Sequence, residues 1–194
     1  MNSLFYTGCF LSMLGLGQAW WIFNSNEEQL EPQTDIEQSC LDAGNDASCA
    51  VYGCIQRRFP CLPHSFVIDH GENYCRRYQN HFDLFDAAGQ DWITRSQACM
   101  SRTMADMYRL PSTTCHALNS EGWDRMSACY VREGFCSIAW DNREALWQVF
   151  QVHDLRHTIR MWREIVEIAI GCGEQQLGRF SIWALEKIAV FRDK

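Results

Sequence analysis

An all-α bundle stapled by disulfides is the fold class this sequence predicts, and three observations predict it. Eleven of the 194 residues are cysteine, widely spaced and without a C-x-x-C knuckle of the sort that holds structural zinc. Apolar residues recur at helical intervals along most of the chain, and no run alternates convincingly as a strand. Finally, 47% of the residues are apolar and 13% aromatic, enough to fill the core of one domain.

A disulfide framework requires an oxidising compartment, and the N-terminus points the same way. Residues 3–23, SLFYTGCFLSMLGLGQAWWIF, form an uncharged apolar run with a small-residue exit at Gly17-Gln18-Ala19. That pattern predicts a signal peptide over residues 1–19 and a secreted, extracellular protein. No Lys or Arg precedes the run, and Trp20, Trp21 and Ile22 prolong it to about the length of a membrane span, so an uncleaved signal anchor is the alternative. Removing the leader removes Cys9 and leaves ten cysteines, an even number. The net charge of −7 gives no field that would draw the chain onto nucleic acid or anionic lipid.

Residues 20–38 are expected to be an acidic linker, because NSNEEQLEPQTDIEQ over residues 24–38 carries five carboxylates and no basic side chain. A helical domain follows over residues 39–192. Its first helix is expected from Cys40 to Arg58, with Leu41, Ala50, Val51 and Ile55 on one face. Pro60 and Pro63 bound a loop that holds Cys61. Tyr74, Tyr78, Phe82 and Phe85 space a second helix over 72–85. The third runs from about Gln90 through Leu110 on a stripe of Ile93, Met100, Met104 and Met107, read as core, and Pro111 stops it. Ser112, Thr113 and Thr114 offer N-cap hydroxyls for a fourth over 115–131. Leu155, Ile159, Trp162, Ile165 and Ala169 define a strongly amphipathic helix. Gly171 and Gly173 bracket Cys172 at its end, and Leu177, Phe180, Ala184, Ile188 and Phe191 space a last helix over 175–191.

The stretch from Cys99 to Cys136 carries four cysteines on helical material, and geometry limits their partners. If Cys129 and Cys136 share one helix, their α-carbons lie about 10.5 Å apart, beyond the roughly 7 Å a disulfide spans. Both then need partners elsewhere. Ten cysteines allow roughly 945 pairings by extension of the usual count, and the spacing alone does not choose among them.

The cysteine ladder resembles that of the stanniocalcins, secreted disulfide-linked hormones. The likeness rests on the nine-then-five spacing of Cys40, Cys49 and Cys54, on FDAAGQDW at Phe85 to Trp92, and on CYVREGFCSIAWDNREAL at Cys129 to Leu146. The steps from Cys75 through Cys99, Cys115, Cys129 and Cys136 are similar too, and the resemblance covers roughly residues 38–175. It implies the pairs Cys40 with Cys54, Cys49 with Cys75, Cys61 with Cys115, Cys99 with Cys129, and Cys136 with Cys172. It also implies hormone-type activity in extracellular calcium and phosphate homeostasis, exerted by binding a protein receptor. Inhibition of a secreted pappalysin-type metalloproteinase is the alternative it implies. Stanniocalcins carry a further cysteine that links two subunits, whereas no cysteine follows Cys172 here, so any homodimer is expected to be non-covalent. The chain has no N-x-S/T acceptor and reads as a shortened, diverged member.

Enzyme chemistry finds little support in the residues, and no cofactor or metal is implied. A phospholipase A2-like reading takes Tyr52-Gly53-Cys54 and His153-Asp154, but no Gly-rich calcium loop accompanies them. His153-Asp154 reads instead as a helix start. His153 and His157, four apart, lack evident further metal ligands; His64, His70 and His81 add little. Asp83, Asp86 and Asp91 around Gly89 read as turn and cap chemistry. The dibasic pairs Arg57-Arg58 and Arg76-Arg77 read as solvated helix faces between bridged cysteines. No nucleophile elbow or phosphate loop is present.

Overall fold

The computed structural model describes residues 28–61, 65–150, 159–173 and Trp183. The leader, the His153-Asp154 and His157 positions and the helix expected over 175–191 lie outside them, apart from Trp183. Within the described residues the chain is a helical bundle with one minimal sheet. In order, the elements are β1 (Gln29–Leu30), α1 (Gln38–Asn45), α2 (Ala50–Arg58), a π-helix (Phe66–Glu72), α3 (Asn73–Asn80), a 3-10 turn (Phe82–Leu84) and α4 (Ala87–Tyr108). β2 (Thr113–Thr114), α5 (Cys115–Arg132), α6 (Phe135–Ile138), α7 (Arg143–Val149) and α8 (Ile159–Cys172) complete it.

The first expected helix is two. Ala47 takes φ +55° between α1 and α2, a left-handed conformation that no helix interior tolerates. The second starts earlier than its aromatic spacing suggests. The Ser65 hydroxyl accepts from the amide of Ile68 at 3.4 Å, and the amide of Phe66 donates to Asn119 Oδ1 on α5 at 2.6 Å. Phe66 then meets Trp123 edge-on, with ring centroids 5.1 Å apart. This anchoring from α5 accompanies a π-helix ahead of the helix expected over 72–85, and His70 sits in it with its ring 4.5 Å from Trp123. The element ends at Asn80, short of Phe85: the 3-10 turn intervenes, and Phe85 and Asp86 are extended, Asp86 capping α4. Phe85 is buried all the same.

The long helix α4 carries Ile93, Met100, Met104 and Met107 into the core as its periodicity requires. Thr114 caps α5, its hydroxyl accepting from the amide of Ala117 at 3.1 Å. Between α3, α4 and α5 lies an aromatic cluster. Trp92 meets Tyr78 at 5.4 Å and Tyr130 at 5.2 Å, both edge-on, and its indole nitrogen donates to the Tyr130 carbonyl at 3.3 Å. Edge-to-face pairs of this kind each contribute about 0.5–1.5 kcal/mol beyond area burial.

The N-terminal strap sharpens two expectations. Residues 28–37 keep most of their side chains in solvent but are not unattached: Gln29 and Leu30 pair antiparallel with Thr114 and Thr113. Further on, the amide of Gln33 donates to the Arg58 carbonyl at 2.8 Å. Nor is Arg58 a solvated member of a dibasic pair. It is 6% exposed, donates to the carbonyls of Thr34 and Leu110, and stacks on Phe59 and Tyr108 at 5.3 and 5.5 Å. A buried guanidinium needs acceptors, and the backbone of the strap supplies one. Tyr108 completes the clamp, donating to the Asp35 carbonyl at 3.1 Å and accepting from the Glu37 amide at 3.0 Å.

Helix α8 packs on α5 and α6. The Ser127 hydroxyl donates to Glu164 Oε2 at 2.7 Å, and Glu164 is 1% exposed. Trp183 meets Trp147 of α7 edge-on at 5.6 Å.

Candidate functional site

Ten cysteines are brought together in five bonds. Cys40 joins Cys54, tying α1 to α2, and Cys49 joins Cys75, tying the start of α2 to α3. Cys61 joins Cys115, holding the chain after α2 on the start of α5, and Cys99 joins Cys129 between α4 and α5. Cys136 joins Cys172 and so fastens α6 to the last residue of α8. The bridged α-carbons stand 5.1–5.8 Å apart, inside the range a disulfide accepts. Each bond contributes about 2–4 kcal/mol by restricting the unfolded chain.

Cys129 and Cys136 do not share a helix. Gly134, at φ +101°, separates α5 from α6 in a left-handed conformation that suits glycine, so the α-carbon separation within one helix does not apply. Their partners nevertheless lie on different elements. Two arginines rest on the bridges: Arg132 Nη2 is 2.7 Å from Cys99 Sγ, and Arg57 Nη2 is 3.3 Å from Cys54 Sγ.

The two segments most distinctive in sequence meet in space. The Asp86 carboxylate accepts from the amide of Gly89 at 2.8 Å, capping α4. Asn142, 4% exposed, answers from the turn before α7. Its Oδ1 accepts from the amide of Asp86 at 2.9 Å, and its Nδ2 donates to Asp86 Oδ1 at 3.0 Å and to the Ile138 carbonyl at 3.1 Å. Gly89 leaves room for this, since a Cβ there would meet Asn142 Oδ1 at 2.7 Å. The Gly89 amide first, then Asn142, hold the Asp86 carboxyl below its ordinary pKa. Asp91 pairs with Arg95 at 2.9 Å, and Asp83 stands in the first turn of the 3-10 segment. These three carboxylates therefore do cap, surface-pair and turn work. Asp86 was legible as a cap; its partner Asn142 was not, although both stand in the segments that carry the family likeness.

Of the residues considered for hydrolytic chemistry, Tyr52-Gly53-Cys54 fall among the described residues and His153-Asp154 do not. Tyr52 is buried, burial pushes its phenol well above the ordinary range, and Cys54 is committed to Cys40. Burial likewise raises Tyr78, and it raises Tyr130 to about 12. Among the described residues no three His, Cys, Asp or Glu side chains converge as a metal site. Arg76 pairs with Glu72 at 2.6 Å, whereas Arg77 stacks on Tyr74 at 5.3 Å and donates to the Val149 carbonyl at 3.1 Å.

A groove of about 650 Å³ lies between the end of α4, β2 and the first half of α5. Met107, Thr113 and Leu118 form its buried floor and Leu110 stands partly exposed beside them. Asp106 and Glu121 lie on its rims, paired with Arg109 and Arg125 on their own helices.

A helical body with all ten of these cysteines bridged defines a disulfide-stapled all-α protein of the secreted type. Among the described residues no helix is long and apolar enough to cross a membrane. The stanniocalcin family model matches residues 25–184, most of the chain. The chain belongs to the stanniocalcin family, whose members are secreted, hormone-like signalling proteins.

Proposed function

We propose that this protein acts outside the cell as a hormone-type ligand of a protein receptor in calcium and phosphate homeostasis. The observation that carries the reading is the family match across residues 25–184. Its scaffold suits recognition, since five bridges hold the surface rigid and little ordering entropy is lost when a partner docks. In this reading the protein works by contact and not by turnover.

A non-covalent homodimer through the apolar helices after Asp141 belongs to the same proposal. Cys172 is already used by Cys136, and Ile170 on α8 is 69% exposed. Sedimentation at micromolar concentration is expected to show a dimer of the mature chain, and a species of about 20 kDa alone would refute it.

The decisive experiment is a pull-down from extracellular fluid with the secreted, oxidised protein, followed by calcium and phosphate flux in cells bearing the captured partner. A cell-surface receptor whose engagement alters either flux supports the proposal. Recovery of a pappalysin-type metalloproteinase, inhibited stoichiometrically, would assign occlusion of a protease instead. Calcium-dependent lipolysis by the purified protein would overturn both.

A further inference from the structure

We infer that the Cys136–Cys172 bond is a reversible redox latch on α8, opened by an extracellular dithiol of the thioredoxin class while the other four bridges stay closed. Three observations carry this, and the first is access. In each of the other four bridges at least one cysteine is 6% exposed or less, whereas Cys136 and Cys172 are both partly exposed. Gly171 and Gly173, both exposed, flank Cys172 and bring no side chain to cover it. An attacking thiolate must reach one sulfur of the bond, so exposed bridges are the labile ones.

The second is topology. Cys49 lies between Cys40 and Cys54 in the chain, and Cys99 lies between Cys61 and Cys115, so these four bridges form two crossed sets. A thiol released within a crossed set has a neighbouring bridge to attack, and exchange there scrambles the pairing. The loop from Cys136 to Cys172 encloses no other cysteine and is crossed by no other bridge. It can open and reclose with every other pairing unchanged.

The third is what the bond holds. Helix α8 rests on α5 and α6 by packing and by the Ser127–Glu164 hydrogen bond, and the bond adds a tie at its last turn. There Gly171 sits against Val131 of α5, where a Cβ would meet a valine methyl at 3.1 Å, next to the exposed Ile170. Opening the bond frees this turn, and with it the placement of Ile170 and the cover over Val131. The oxidised and reduced proteins thus offer a partner different surfaces at the α5–α8 seam.

The exchange balances. One thiolate of the dithiol attacks Cys172 Sγ, the S–S bond breaks, and Cys136 leaves as a thiolate that takes a proton. The second thiol of the reductant then displaces Cys172 from the mixed disulfide. The protein gains two electrons and two protons as two thiols, and the dithiol becomes a disulfide.

The test uses the full oxidised chain, secreted from eukaryotic cells, at nanomolar concentration so that no dimer through α8 covers the bond. Thioredoxin with its reductase and NADPH is added, thiols are trapped at intervals with an alkylating agent, and the peptides are mapped. Cys136 and Cys172 are expected to be labelled together, at least about tenfold faster than any other cysteine. Another pair labelled first, all pairs labelled at one rate, or no labelling overturns the inference. Once the reductant is removed, oxidised glutathione should restore the original bridge pattern, and scrambled pairs overturn the latch. Amide exchange in residues 165–172 should rise about tenfold or more in the reduced protein, and equally in Cys136→Ser/Cys172→Ser, while α4 keeps its protection. Unchanged exchange in α8 would mean that the bond holds nothing, and the inference would fall.

Discussion

The strap over residues 28–37 and helix α8 flank the same body and are held to it by opposite means. α8 is apolar, amphipathic and covalently fastened through Cys172. The strap is polar, carries no cysteine and reaches the body mainly through backbone groups: a two-residue ladder, the Gln33 amide and carbonyls that accept from Arg58 and Tyr108, with the Gln29 side chain donating to the Ser112 hydroxyl and Leu30 packing on the core. The contrast teaches that an acidic, turn-rich stretch can be as firmly placed as an amphipathic helix when the core exposes a buried cation and a hydroxyl to its backbone. Conversely, the amphipathic helix hides its own polar element, Glu164, against Ser127.

The largest effect expected from breaking this comparison lies on the α8 side. Cys136→Ser/Cys172→Ser removes the bond that closes 36 residues of chain, and should cost about 2–4 kcal/mol in denaturant unfolding. Amide exchange should rise first in α8 and leave the strap protected. On the strap side, Arg58→Met keeps much of the side-chain stem but removes the donors to Thr34 and Leu110; a loss of about 1–3 kcal/mol is expected, with exchange rising in residues 28–37 and α8 unaffected. If both variants loosened both flanks equally, the two attachments would not be independent. Tyr108→Phe, which removes one hydroxyl from the same clamp, should cost about 0.5–1.5 kcal/mol and deepen little when combined with Arg58→Met, since both release one strap.

Smaller and more diffuse is the pH response of the body between the flanks. A free tyrosine ionises near pH 10, while burial raises Tyr130 to about 12 and lifts Tyr52 and Tyr78 as well. The folded state therefore holds these protons more tightly than the unfolded state. Stability should be fully present below about pH 10 and decline as pH rises toward the folded value, measured by unfolding midpoints across alkaline buffers. At the acid end the sign is reversed for Asp86, whose carboxyl is lowered. Its contribution is present above the ordinary carboxylate range and is lost as pH falls through the lowered value; Asp86→Asn should flatten that limb.

Periodicity was a good guide wherever burial followed one apolar stripe. The Met100, Met104 and Met107 series and the helix after Thr114 fall where spacing places them. It failed where a distant polar group decided the backbone. Nothing within residues 28–37 announces Arg58 or Tyr108, and nothing near Ser65 announces that Asn119 and Trp123 would receive Phe66 on a π-helix. The split between α1 and α2 escaped for a related reason, because Ala47 is not a residue that signals a left-handed turn. At the site, the cap of α4 was readable from Asp86 alone. Its second half required knowing that a residue 56 positions later would be folded against it.

That pairing makes Asp86, Gly89 and Asn142 a single lock whose parts are written in two places. The segment that begins α4 and the segment that begins α7 are not free to drift apart one substitution at a time. A bulkier residue at 89 displaces the Asn142 amide, and a change at 142 strips the Asp86 cap of its support. Repair of either lesion is therefore expected to come from the opposite segment, and a second-site suppressor screen on Gly89→Ala should return changes clustered around Asn142.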